Sequence, residues 1–170
     1  MLRKSERLIF EKPTQRDFER YYEIHSDPET NLYNPYGPMK FDRAKVLFQE
    51  ILDHWKEHEF GIWKIMENSN PSNIIGFGGL SIKTYVSDVR LNLGYRFDTN
   101  AWGKGYATEL AKDAIQYGFN DLGKDEIYAI VRPKNKPSIK VLEKCNMNHI
   151  GYLVDFPGLE HTLIYKICNN

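Results

Sequence analysis

The sequence predicts an α+β fold in which a mixed sheet is covered by helices. Three observations carry this. Segments of apolar alternation and segments with an apolar stripe at helical spacing follow one another in the order β-α-α-β-β-β-α-β-α-β-β, which is not the strict alternation of a doubly wound parallel sheet. The chain has 170 residues, 41% hydrophobic and 14% aromatic, about the size of one core. No linker, internal repeat or low-complexity stretch interrupts it, so residues 1–170 read as a single domain.

Leu8 to Glu11 is the first expected strand. Thr14 can cap the helix that follows, with Asp17 three residues on in a capping-box position and Phe18, Tyr21, Tyr22 and His25 along one face. Ser26-Asp27-Pro28 ends that helix, and Asn31 to Met39 is an aromatic, proline-rich loop. Asp42 can cap a second helix, whose stripe is Ala44, Leu47, Phe48, Ile51, Leu52 and Trp55. Phe60 to Glu67 and Ile74 to Ile82 read as an antiparallel hairpin around the Asn68–Asn73 turn cluster. Strict alternation from Val89 to Phe97 marks a half-buried strand. A third helix runs from Gly105 to about Asn120, Ile127 to Val131 is a short strand, and Pro137 to Cys145 is a fourth helix with proline in its first turn. Met147 to Val154 and Thr162 to Ile167 close the chain as strands.

Charge and composition narrow the function. Lys plus Arg and Asp plus Glu are 23 each, and zero net charge argues against a protein that lives on bulk attraction to nucleic acid or acidic lipid. A phosphate-bearing partner must be held by a local site. No apolar run is long enough to span a bilayer, and the charged start leading into Leu8-Ile9-Phe10 does not resemble a signal peptide, so a cytoplasmic location without membrane contact is expected. Cys145 and Cys168 are too few for a disulfide framework or a four-ligand zinc site, the five histidines show no ligand spacing, and no metal is expected.

The segment Tyr95-Arg96-Phe97-Asp98-Thr99-Asn100-Ala101-Trp102-Gly103-Lys104-Gly105-Tyr106-Ala107-Thr108 ends a strand, turns through two glycines and starts a helix. Glycines permit the positive φ angles that aim successive N–H groups into one concavity, and the helix adds unpaired N–H groups and a positive dipole end. Phosphate suits such a device, although a plain loop-to-helix turn would use the same residues. The nucleotide P-loop pattern does not fit Gly103-Lys104-Gly105-Tyr106, and the dinucleotide fingerprint fails at Thr108. A second feature is local: Arg132, Lys134, Lys136, Lys140 and Lys144 stand within thirteen residues holding one acid, Glu143. Asn135 and Ser138 sit at the same helix entry, where either could simply cap the helix.

Taken together these residues resemble the GNAT superfamily of N-acetyltransferases, and within it the branch that includes the ribosomal-protein-alanine acetyltransferases and many small-molecule relatives. The branch pattern W-G-K-G-Y-A-T-E matches Trp102 to Glu109 without a break, and N-x-x-S-x-x-[VL]-L-E-K matches Asn135, Ser138, Val141, Leu142, Glu143 and Lys144. Ser26-Asp27-Pro28-Glu29 and Leu93-Gly94-Tyr95 match two further motifs, in the right order across nearly the whole chain.

The resemblance implies a mostly antiparallel central sheet of about seven strands flanked by four helices, with the fourth and fifth strands splayed. It implies acetyl-CoA as donor and an amine as acceptor. By motif position Gly103, Lys104, Gly105, Tyr106 and Ala107 cradle the pyrophosphate, Tyr95, Arg96 and Phe97 run beside the pantetheine arm, Asn135 contacts the coenzyme, and Arg132 with the nearby lysines meets its ribose phosphate. Ser138 is the candidate proton donor to the leaving thiolate. Departures from the pattern concern the base. Asn92 stands where many relatives carry Glu, and His161 where many carry Asp, while Cys145-Asn146-Met147 replaces a Gly-Phe preference. His161, Glu160 or a water relay remain open as the base. The acceptor is expected between the early helices and their joining loop, with Tyr33 and Tyr36 as contacts and Trp55 and Trp63 as the other aromatics of that region. A coenzyme-binding regulatory domain without chemistry is the alternative reading. The sequence allows a homodimer and does not choose the oligomeric state.

Overall fold

The computed structural model describes residues 2–169. Eight strands form one sheet, β1 (Leu2–Lys4), β2 (Leu8–Glu11), β3 (Ile62–Glu67), β4 (Asn70–Tyr85), β5 (Asp88–Phe97), β6 (Glu126–Val131), β7 (Asn148–Leu153) and β8 (Thr162–Cys168), in the spatial order β1-β2-β3-β4-β5-β6-β8-β7. Four helices cover it, α1 (Phe18–Ser26), α2 (Phe41–His58), α3 (Tyr106–Gln116) and α4 (Lys136–Lys144). All neighbouring strands are antiparallel except β5 and β6, which run parallel.

The expected elements are present, with differences that have local causes. β1 is an eighth strand that no apolar pattern announces. It pairs with β2 from Leu2–Glu11 to Lys4–Ile9, and Arg3 ties it to α3 through an ion pair with Asp113 and a position 5.1 Å over the Tyr117 ring. α2 begins at Phe41 with Lys40 as its cap, so Asp42 lies inside the first turn, where a carboxylate still complements the helix dipole. The 68–73 cluster turns at Asn68 and Ser69 only, because Asn70 already pairs with Glu67. α3 stops at Gln116 and continues as a single π turn, Tyr117–Asp121, in which Leu122 donates to Tyr117 O at 3.1 Å.

The capping interaction at the first helix takes a definite form: the Thr14 N–H donates to Asp17 Oδ2 at 2.7 Å and the Thr14 hydroxyl to the same oxygen at 3.0 Å. Two apolar clusters follow from the helix stripes. Leu110, Ala111 and Ala114 of α3 and Leu142 of α4 pack on Phe10, Ile65, Leu93, Phe97, Ile127 and Ala129 of the sheet. Tyr21 and Ile24 of α1 with Ala44 and Phe48 of α2 enclose Phe77 of β4. Trp55 and Trp63 are both buried in the larger cluster, and the Trp55 indole donates to Ile62 O at 2.8 Å, so these two tryptophans are core residues. Among the described residues no helix is long and apolar enough to cross a membrane.

His25 is an ionisable group inside the smaller cluster. Its ring stacks on Tyr21 at 3.9 Å, its Nδ1 donates to Tyr21 O at 2.9 Å, and it packs against Phe77. Burial, reinforced by the Arg96 guanidinium, pushes its pKa down from 6.5 to about 3. The unfolded chain therefore takes up a proton near pH 6.5 that the folded chain refuses until about pH 3. Stability is complete above the higher value and falls as pH drops toward the lower one, by up to about 1.4 kcal/mol per pH unit. Urea midpoints measured between pH 7 and 5, above most carboxylate titration, are expected to fall for the parent and to stay flatter for His25→Phe. An equally steep decline in both would show that His25 does not drive it.

Candidate active site

The site begins where β5 and β6 part. Their register contains one pair, Asn92 with Tyr128. Leu93 to Phe97 continue along β4 without a β6 partner among the described residues, which leaves a wedge open toward the end of β5. These are the fourth and fifth strands expected to splay.

Past the wide end of the wedge the chain turns into α3, and Asp98 holds that turn. Its Oδ1 accepts from Asn100 N at 2.9 Å, and its carboxylate pairs with Arg20, whose Nε also donates to Ile74 O at 2.8 Å. Partial burial pushes Asp98 up, but the Asn100 amide and the Arg20 guanidinium outweigh it and hold the carboxyl below its ordinary value. Gly103 and Gly105 then adopt φ +74° and +80°, the left-handed region that a Cβ disfavours. Gly105 is the cap of α3, and the N–H groups of Tyr106, Ala107 and Thr108 in its first turn have no acceptor one turn earlier. A Cβ at Gly103 would meet nothing within 4 Å. The space beside Gly103 is therefore open.

A set of side chains clamps this turn from β1–β2 and β3. Arg7 donates through one guanidinium nitrogen to Lys104 O at 2.9 Å and through Nε to Glu109 Oε2 at 2.8 Å, and lies 4.8 Å over the Tyr106 ring. Glu109 Oε1 also accepts from Arg7 N and from the Ser5 hydroxyl, both at 2.7 Å. Burial raises Glu109, but the Ser5 hydroxyl and Arg7 bring it below its ordinary value. The Tyr106 hydroxyl donates to Glu67 Oε1 at 2.5 Å, and the Lys104 ammonium stands 3.6 Å from the same oxygen. The sequence reading did not find Arg7 or Glu67. Glu109 belongs to the Trp102–Glu109 motif, but its partner Arg7 lies 102 residues earlier.

α4 enters the other wall. Asn135 is its cap, accepting from Ser138 N at 3.2 Å, so its side chain has a structural role at the helix start. The Tyr95 hydroxyl reaches the same region. It is buried without a hydrogen bond among the described residues, and burial pushes its phenol up to about 12, with the nearby Ser138 hydroxyl drawing it back slightly. Lys134, Lys136, Lys140 and Lys144 are exposed, with no carboxylate in ion-pair range among the described residues. Cys145 is a buried free thiol whose pKa burial raises.

Side-chain alternation sorts β5 into two faces. Tyr95 turns toward α4, whereas Arg96 turns the other way and donates to Thr30 O at 2.9 Å and to Asn31 Oδ1 in the α1–α2 loop. Only the Arg96 backbone is then available to a ligand in the wedge. Arg132 likewise leaves the α4 side: it donates to the Thr162 hydroxyl at 2.8 Å and Glu160 O at 2.7 Å, pairs with Asp155 at 3.5 Å, and lies 5.5 Å over Phe156. These partners hold the Arg132 guanidinium against the β7–β8 loop. Tyr33 lines a groove with Pro35, Lys134 and Leu159 between the α1–α2 loop and the β7–β8 loop. Tyr36 does not line this groove; it is exposed and stands edge-on to Phe156 at 4.9 Å. His161 is exposed on the β7–β8 loop beside Tyr152 and Pro133. Among the described residues no three His, Cys, Asp or Glu side chains are grouped to hold a metal ion.

Residues 7–148 match the family model of the acetyltransferase (GNAT) domain. The chain belongs to the GNAT acetyltransferase family. It is similar to the uncharacterized N-acetyltransferase p20 of Bacillus licheniformis, 31% identical over 161 residues that cover 94% of this chain and 89% of that protein. A GNAT-family acetyltransferase structure from Bacillus anthracis superposes with a TM-score of 0.80 at 26% identity, covering 99% of this chain and 98% of the other. Spermidine N-acetyltransferase from Vibrio cholerae, solved with CoA and spermine, has the same fold with a TM-score of 0.77 at 19% identity and 96% coverage of each chain. The GNAT chain described here is thus an acyltransferase of the acetyl-CoA-dependent kind.

Because Arg7 joins the carbonyl of Lys104 to the first turn of α3, Arg7→Ala is expected to loosen the glycine turn without touching the wedge. Steady-state kinetics should show KM for acetyl-CoA raised several-fold with kcat little changed. An unaltered KM would mean that the turn keeps its shape without Arg7.

Proposed function

We propose that this enzyme moves an acetyl group from acetyl-CoA to a primary amine, either a peptide N-terminus or a small-molecule amine, by direct attack within a ternary complex. The observation that carries the reading is the pair of left-handed glycines leading into α3, whose first-turn amides have no side-chain cap, beside a splayed sheet. In this reading Gly103, Lys104, Gly105, Tyr106 and Ala107 hold the pyrophosphate, and the backbone of Tyr95, Arg96 and Phe97 pairs with the pantetheine amides along the unpaired edge of β5. The exposed lysines at the start of α4 supply positive potential for the phosphates, while Asn135 orders the helix entry that Ser138 occupies.

Attack requires an unprotonated amine. An α-amine, with an ordinary pKa of about 7.7–8.0, gives up its proton far more readily than a lysine at about 10.4. N–H groups of β5 freed by the splay face the thioester carbonyl and stabilise the negative charge that develops on its oxygen. The departing thiolate needs a proton, and Ser138, with the Tyr95 phenol kept protonated by burial, forms a donor pair on that side. His161, on the loop bordering the groove, takes the amine proton. Tyr33 gives the acceptor an aromatic floor, suited to an apolar group beside the amine.

The test couples calorimetry with release of free thiol across a panel of amines. Acetyl-CoA should bind, and Gly105→Ala should weaken binding by about tenfold, the equivalent of the roughly 1–2 kcal/mol that a Cβ costs in the left-handed region. Ser138→Ala should lower kcat by at least about tenfold with KM for acetyl-CoA nearly unchanged, and His161→Ala should likewise lower kcat. Absence of heat with acetyl-CoA would defeat the coenzyme assignment. Unchanged turnover in both variants would defeat the two catalytic assignments alone.

A further inference from the structure

Asn92 stands at the apex of the wedge, the one β5 residue in register with β6. It is 7% exposed, and its Oδ1 accepts a hydrogen bond of 2.5 Å from the hydroxyl of Tyr85, itself 5% exposed. Burial pushes the Tyr85 phenol well above its ordinary value, so the hydroxyl keeps its proton and must donate it. A buried hydroxyl needs an acceptor, and the carboxamide oxygen is the one within reach. The orientation of the amide follows: Oδ1 is occupied by Tyr85, and Nδ2 is turned away from it.

Nδ2 has no hydrogen-bond partner among the described residues, and it is not among the sealed, unsatisfied atoms, so it reaches solvent. It lies 3.3 Å from where a Cβ on Gly94 would stand. Gly94 is the next residue on the same face of β5, toward the open end of the wedge. A glycine there leaves the amide donor uncovered. The face is the one that carries Arg96 to the α1–α2 loop, opposite the face of Tyr95, and so belongs to the acceptor rather than to the coenzyme. Ser81 of β4 stands opposite Asn92, and the next same-face pair is Lys83 with Arg90, whose guanidinium pairs with Asp88 at 3.1 Å and lies 4.7 Å over the Tyr128 ring.

We infer that Asn92, oriented by Tyr85, is a specificity-determining residue that donates a hydrogen bond to an oxygen of the acceptor, and that it selects amines of the α-aminoacyl class, in which a carbonyl or carboxylate sits one carbon from the nitrogen. The inference rests on the acetyl-transfer reading above. An ammonium group and an amide N–H are both donors and cannot satisfy one another, whereas an oxygen next to the amine gives Nδ2 its partner. A protonated polyamine offers only donors at neutral pH and leaves Nδ2 without an acceptor. Selection by a polar group left unpaired with the wrong ligand is stronger than selection by apolar fit.

The matched probes are phenylalaninamide and 2-phenylethylamine, which differ by the carboxamide, read as the ratio of their kcat/KM values at one pH. The parent should favour phenylalaninamide. Asn92→Ala should cut the ratio about tenfold, and the nearly isosteric Asn92→Asp should cut it at least as far by replacing the donor with an anion that receives an ammonium. Tyr85→Phe should lower the ratio several-fold in the parent and add nothing in the Asn92→Ala background, a non-additivity that a purely structural role would not produce. A ratio unmoved in both Asn92 variants overturns the inference, as does equal loss for both amines, or acetylation of neither while calorimetry still shows acetyl-CoA bound. Failure of the parent to bind acetyl-CoA would strike the coenzyme reading instead.

Discussion

Within this sheet β5 and β6 share a single residue pair at Asn92 and Tyr128, after which β5 keeps β4 and loses its other neighbour. Backbone amides inside a fold are almost always paired, and an unpaired row away from water costs free energy comparable to the bonds it lacks. The fold keeps the defect small by making it a wedge rather than a gap. β6 is held on its far side by β8 over six register pairs from Glu126–Cys168 to Val131–Leu163, and β5 is held over its whole length by β4. Two firmly paired half-sheets can therefore diverge between their edges, and what remains in the divergence is a line of amides suited to a ligand that itself carries amides.

The glycine turn depends on the wedge for its place and on distant side chains for its shape. Left-handed residues save no energy by themselves. Their conformation persists because Arg20 fixes Asp98 just before the turn, while Arg7, Glu109, Ser5 and Glu67 fix Lys104, Tyr106 and the first turn of α3 just after it. Single exposed ion pairs contribute little. Here the several contacts of Arg7 and the shared carboxylates of Glu109 and Glu67 make a network that holds the turn in one shape, which in the proposed reading pre-organises it for an anion.

What could be read from the chain and what could not divides along sequence separation. The stripe of α2, the alternation of Val89 to Phe97 and the glycines at 103 and 105 express their physics within a few residues, so the helices, most strands and the loop geometry were legible. β1 was not, since three residues without alternation become a strand only when Arg3 finds Asp113 on α3. The same holds for the destinations of two arginines. Arg96 is expected beside the pantetheine arm through its backbone and Arg132 at a ribose phosphate, and neither pattern says where the guanidinium goes. Strand parity and the partners Thr30, Asn31, Asp155 and Thr162 send both to the other face. The motif at Asn135 and Ser138 fixed the place of the helix entry, while the cap bond and the orphan hydroxyl of Tyr95 emerged only from packing.

One strand thereby serves two tasks without conflict. The side chains of β5 alternate, so Tyr95 faces α4 and the half of the wedge where Ser138 stands, while Asn92, Gly94 and Arg96 face the α1–α2 loop. The backbone between them belongs to neither face and remains for the ligand proposed to lie in the wedge. Two substrates can then approach the same amides from opposite sides, and changes on one face leave the other intact. That separation explains how a chain can keep its glycine turn and its α4 entry unchanged while carrying Asn92 in place of a carboxylate. In the proposed reading the donor side is set by backbone geometry, which many sequences can supply, and the acceptor side by a few side chains of one parity, which are free to differ.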